Sequence, residues 1–167
     1  MDRIYIHPSG AELWQGSMYD VDRLLRLPSD KIRVIGLFAQ EYQPDDPRGR
    51  YELLKRGFDD NPDADPAEIS EVAGIVDGAS DTLSDRLRAG KSCLSSCAAG
   101  LNRSGITTAL TLMKVAGLEP DAAIDLIRTK RAPQLGMLPL CNPKFVQLLR
   151  KMRLKIGDKS TWTEWRS

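Results

Sequence analysis

Apolar residues come first in short runs along this chain and later at helical spacing. Ile4, Tyr5 and Ile6 alternate weakly with their neighbours and stop at a Pro8/Gly10 turn, and residues 13–16 form a second short apolar stretch, so two strands are predicted. Residues 19–27 place Val21, Leu24 and Leu25 at helical intervals and end before Pro28. Residues 32–38 are an unbroken apolar run, which suits a strand covered on both faces. The stretch 41–50, with Pro44 and Pro47, reads as a surface loop, and 51–58 as a further strand.

The second half is more regular. Asp65-Pro66-Ala67-Glu68 combines an N-cap acceptor, a proline at the first helical position and an acid three residues after the cap. Ile69, Val72, Ala73, Val76, Leu83 and Leu87 then keep one apolar face until Gly90 stops the helix. Residues 92–96 predict a short buried strand, and Ile106, Ala109, Leu110 and Met113 a helix running from Ser104 to Gly117. Pro120 opens another helix, with Ala123, Ile124 and Ile127 on one side and Arg128, Lys130 and Arg131 in its last turn. Asn142-Pro143 is a cap and first-position pair for a final helix carrying Phe145, Leu148, Leu149 and Met152. This order predicts a single α/β domain, a central mixed sheet covered by helices.

A length of 167 residues, with 41% hydrophobic and 28% charged, fits one ordinary globular domain. No apolar run is long enough to span a membrane, and the N-terminus lacks a secretory signal pattern. His7 is the sole histidine, which rules out a multi-histidine metal site; neither metal nor cofactor is expected. Three cysteines (Cys93, Cys97, Cys141) are an odd number and too few for a disulfide scaffold, so a reducing, cytoplasmic setting is expected.

Charge is distributed unevenly. Residues 41–85 carry four basic and thirteen acidic side chains, residues 86–167 fifteen basic and five acidic. The two parts attract one another across the fold, or the basic part holds an anionic ligand. His7, Arg128 and Arg131 read as surface or helix-end residues.

The chemistry concentrates in Ser96-Cys97-Ala98-Ala99-Gly100-Leu101-Asn102-Arg103-Ser104-Gly105, between a predicted strand and a predicted helix. Five residues separate Cys97 from Arg103, with Gly100 at the centre. A loop of that size can turn successive backbone N–H groups inward as a nest for a tetrahedral oxyanion, and the helix adds its positive end. Both favour a thiolate at Cys97, the nucleophilic form. The planar fork of Arg103 can hold two phosphate oxygens, and Ser104 places a hydroxyl beside the sulfur.

This segment resembles the phosphate-binding loop, Cys-x5-Arg-Ser/Thr, of the cysteine-dependent protein phosphatases, and more narrowly of the dual-specificity branch. The resemblance extends over roughly residues 3–150, through 13–17, 32–40, the helix ending at Gly90-Lys91, 123–131 and 142–145. It implies a protein tyrosine phosphatase-like fold, with a catalytic domain over 1–156 and a tail over 157–167 that holds Trp162 and Trp165. It implies Cys97 as nucleophile, Arg103 as phosphate clamp and Ser104 as leaving-group helper. The amides of Ala98, Ala99, Gly100, Leu101, Asn102 and Arg103 are the implied cradle. The family also uses an aspartic acid from a loop before the long helix, where Asp60 is the first candidate and Asp59 the second; Asp65 is occupied as a cap. The implied reaction hydrolyses phosphotyrosine or phosphoserine/threonine monoesters through a phosphocysteine, on a phosphorylated protein or peptide, with phosphate and other oxyanions binding the loop.

The sequence departs from the family at Ser96, where a histidine usually precedes the nucleophile. Cys93 lies four strand residues from Cys97, about 13 Å when extended, beyond disulfide reach, and reads as core packing. Cys141 can approach only through the fold. Ala98 and Ala99 are small and neutral where phosphoinositide-directed relatives usually carry extra lysines, so the resemblance disfavours a lipid or inositol substrate. Gly100-x-Asn102-Arg103-x-Gly105 also resembles RNA 5′-triphosphatases, although the acidic stretch 41–85 disfavours nucleic acid as a partner. A non-catalytic phosphate-binding module is the rival from another class.

Overall fold

Short β-branched and apolar runs pair into a five-stranded sheet of order β1-β2-β5-β3-β4. The strands are β1 (Asp2–Ile6), β2 (Glu12–Ser17), β3 (Ile32–Ala39), β4 (Glu52–Phe58) and β5 (Ser92–Cys97). The computed structural model describes residues 1–156, with side chains described except at 133–135 and 153–156. The tail at 157–167, with Trp162 and Trp165, lies outside the described residues.

β5 is central and runs parallel to β2 and β3, β4 runs parallel to β3, and β1 closes the sheet antiparallel to β2. The sheet is therefore mixed, as its sequence predicts. The registers Ser17↔Cys97 and Leu37↔Ser96 bring the carboxyl ends of three parallel strands to one edge. In open α/β sheets that edge is where ligands bind.

The helices are α1 (Met18–Arg26), α2 (Pro66–Arg88), α3 (Arg103–Ala116), α4 (Pro120–Leu135) and α5 (Pro143–Ile156). On one face α1 packs Val21 and Leu24 against Ile32, Ile35, Leu37 and Leu94. On the other, α2–α5 cover a larger core that includes Phe38, Phe58, Leu83, Ile106 and Phe145. Every residue from Arg103 to Met113 is buried, so α3 is enclosed on all sides. Its hydroxyls are absorbed locally: Thr107 Oγ1 donates to Arg103 O and Thr111 Oγ1 to Thr107 O. Among the described residues no helix is long and apolar enough to cross a membrane.

Most predicted elements lie within a residue or two of their observed bounds. The exception is α4, which continues to Leu135, so Arg128 and Arg131 stand inside it rather than in its last turn. Arg128 braces the following turn through Nε to Pro139 O and Nη2 to Leu140 O.

The start of α2 is the cap read from sequence. Asp65 Oδ1 accepts from the N–H groups of Ala67 and Glu68 at 2.8 and 2.9 Å, and the Glu68 carboxylate accepts from Asp65 N–H at 2.8 Å. Asp65→Ala removes this acceptor and should lower unfolding stability by about 1 kcal/mol, read by urea denaturation.

Candidate active site

β5 carries Cys97 to the ligand-binding edge, and α3 begins at Arg103. The intervening loop is shaped by where its carbonyls go. Ala98 O accepts from Met18 N–H at 3.3 Å, Leu101 O from Leu140 N–H at 3.4 Å and Asn102 O from Ile106 N–H at 2.8 Å. Gly100 O accepts from Gln15 Nε2 at 3.0 Å. With these carbonyls tied outward, the N–H groups of Ala99 through Arg103 have no acceptor among the described residues. Asn102, the N-cap of α3, makes no side-chain cap bond, so the helix's positive end is also open to the loop.

Gly100 takes φ +71°, and a Cβ there would stand 2.5 Å from Gly16 O. Both the backbone angle and the contact require glycine. The close approach seats the loop directly on β2.

Cys97 is buried, and its Sγ lies 3.3 Å from Ser104 Oγ. Ser95 Oγ donates to Ser104 O at 3.0 Å, which ties the strand to the first turn of α3. Ser96 Oγ donates to Gly36 O at 2.6 Å and so braces β5 on β3. Cys93 is enclosed in the core, where burial, aided by Glu52, pushes its thiol up to about 12. It is inert packing at neutral pH.

Arg103 is only 8% exposed. Its Nη1 and Nη2 form a two-pronged ion pair with Glu41 at 2.8 and 2.5 Å, and Nη1 also donates to Phe58 O. Its Nε is buried without an acceptor among the described residues. Burial pulls the guanidinium pKa down, but Glu41, Cys97 and Asp60 more than offset it and hold it above the usual value. Conversely, the Arg103 hydrogen bonds bring the Glu41 carboxyl from 4.5 to about 2.

Asp60 sits beside the loop. Its Oδ2 accepts from Asn102 Nδ2 at 3.0 Å and its Oδ1 from Asn142 Nδ2 at 2.8 Å. Asp59 is exposed, and among the described residues it accepts only from the amide of Asp60. Asn142 has a double task, because its Oδ1 also caps α5 by accepting from Lys144 N–H at 2.9 Å. Cys141 is exposed, with Sγ 3.5 Å from the Asn102 side chain.

Thus Cys97, Arg103, Ser104, Asp60 and the amides from Ala98 to Asn102 gather at one place. Sequence reasoning missed three residues there. Glu41 lies in a stretch legible only as loop, and nothing in its neighbourhood marks it. Gln15 is a fully buried polar residue in an apolar strand, a signal available in the sequence. Arg131 corrects the surface reading outright: it is 1% exposed and paired with Asp2 at 2.7 Å. From α4, which packs against β1, it reaches the underside of the loop at Gly100.

The fold is that of dual-specificity and tyrosine phosphatases of known structure. Human DUSP28 matches with a TM-score of 0.73 at 20% identity, over 95% of this chain and 99% of that one. The human tyrosine phosphatase-like serine/threonine/tyrosine-interacting protein gives 0.73 at 17%, over 94% and 97%. PTPMT1 in complex with PI(5)P gives 0.70 at 16%, over 95% and 97%. Neither a protein-family model nor a curated protein sequence matches the chain.

Gly100→Ala should push the loop off β2 and weaken vanadate binding at least tenfold, measured by isothermal titration. The Glu41–Arg103 pair should make stability depend on pH. Its contribution is complete above 4.5, the ordinary Glu41 value, and is lost as pH falls through about 2. With Glu41 54% exposed, solvent screening limits the effect to about 1 kcal/mol. The stability gap between wild type and Glu41→Gln should therefore close over that window in denaturant titrations.

Proposed function

We propose that this protein is a cysteine-dependent phosphomonoesterase acting on phosphotyrosine or phosphoserine/threonine in proteins or peptides. The observation that carries the reading is the run of acceptor-free amides from Ala99 to Arg103, adjoining a buried cysteine and a buried arginine with a free Nε. A tetrahedral dianion supplies the acceptors that this loop lacks.

In the proposed reaction the Cys97 thiolate attacks phosphorus and the S–P bond forms as the ester P–O bond breaks. Loop amides and Arg103 take the equatorial oxygens, where charge gathers in the transition state. Asp60 protonates the departing oxygen. It is preferred to Asp59 because two side-chain amides orient it beside the loop. Water then attacks the phosphocysteine, Asp60 takes its proton, and Ser104 Oγ, 3.3 Å from the sulfur, steadies the returning thiolate.

Charge at the site favours a single phosphate. Ala98 and Ala99 contribute no cation, Glu41 is held ionised by Arg103, and the nearby Arg131 is buried. Among the described residues, polyphosphate ends and inositol polyphosphates meet no cluster of exposed cations there.

Cys97→Ser should abolish hydrolysis of an aryl phosphate while retaining binding of a phosphate analogue; undiminished turnover would sink the proposal. Asp60→Ala should slow substrates with poor leaving groups by about 10² or more and Asp59→Ala should not, read as kcat on a leaving-group series. A panel of phosphotyrosine, phosphothreonine and triphosphorylated RNA separates the substrate classes.

A further inference from the structure

Arg131 heads the fully buried large side chains, a costly place for a guanidinium. Its Nη1 donates to Gln15 O at 2.5 Å and to Asp2 Oδ2 at 2.7 Å. Its Nη2 lies 2.8 Å from the point where a Cβ on Gly100 would stand. Gln15 in turn donates Nε2 to Gly100 O. One arginine from α4 thus meets β1, β2 and the midpoint of the loop.

We infer that Arg131 is a positioning residue for the Cys97 loop, holding β2 against Gly100 and setting a fixed positive charge behind the nucleophile. The inference rests on the reading of Cys97 as a nucleophile. Two observations converge on it. The hydrogen bonds clamp the strand that receives the Gly100 carbonyl, so the loop's inward amides depend on this side chain. The residue before the cysteine, Ser96, carries no charge, and its hydroxyl is committed to Gly36 O.

The surrounding charges are few. Burial pulls the Arg131 pKa down, while Asp2 on β1, Asp20 on α1 and Cys97 on β5 pull it back up. Arg103 on α3 also acts on Cys97, and it is shared with Glu41 and Asp60. The attraction between Arg131 and a Cys97 thiolate is mutual, so removing the cation penalises the thiolate and removing Asp2 favours it.

The test is peptide-resolved alkylation by iodoacetamide from pH 5 to 9, with exposed Cys141 as internal reference and thermal melting as a check on folding. Arg131→Met should raise the midpoint of Cys97 alkylation by about one pH unit, slowing the reaction about tenfold at pH 6. Arg131→Lys, which keeps the charge without the fork, should recover part of that shift. Asp2→Asn keeps the size and an acceptor, and should move the midpoint down; it also serves if Arg131→Met does not fold. An unmoved midpoint in folded Arg131→Met, or an upward or absent shift in Asp2→Asn, overturns the inference. Wild-type protein that neither hydrolyses an aryl phosphate nor alkylates faster at Cys97 than at Cys141 defeats the nucleophile reading itself. Active wild type with unmoved variants defeats the role of Arg131 alone.

Discussion

A peptide unit carries its N–H and its C=O on opposite sides, so a loop can aim several N–H groups at one point only if its carbonyls find partners behind them. Between Cys97 and Arg103 each such partner comes from a different part of the fold: Met18 at the start of α1, Gln15 in β2, Leu140 ahead of α5 and Ile106 in α3. The layers of helix and sheet converge on this loop, and their packing holds its carbonyls back. Even the absent side chain at Gly100 belongs to the arrangement, since β2 occupies the space it would need.

The same convergence forces charge into the interior. Arg103 and Arg131 are both buried, and each is matched to one acid, Glu41 and Asp2. Unmatched, either would cost several kcal/mol. The uneven charge along the chain draws its two parts together across the fold. Arg86 with Glu52, and Lys114 with Asp77 and Asp81, join the basic and acidic parts far from the loop. Glu41 with Arg103, and Asp60 with Asn102, join them at the loop itself.

The fold was legible because period and punctuation agree. The apolar run of β3, the Asp65-Pro66 start of α2 and the Asn142-Pro143 start of α5 each state their element locally. The loop was legible for the same reason, since its residue types and spacing are contiguous. Glu41 and Arg131 were hidden because their partners lie 62 and 129 residues away in sequence. The end of α4 was misplaced because a basic cluster at 128–131 looks like the last turn of a helix, where cations complement the dipole. Here burial of Arg131 overrides that local preference.

Because backbone groups line most of the nest, most side chains around it are left without a structural duty. Ala98 is half-buried and Ala99 exposed, whereas Gly100 and Leu101 are enclosed. The loop therefore separates into an inner part where almost any replacement breaks the geometry and an outer part open to change. Substitutions at Ala98 and Ala99 can therefore change the surface around the loop while its backbone path stays constant, because the two properties reside in different atoms of the same few residues.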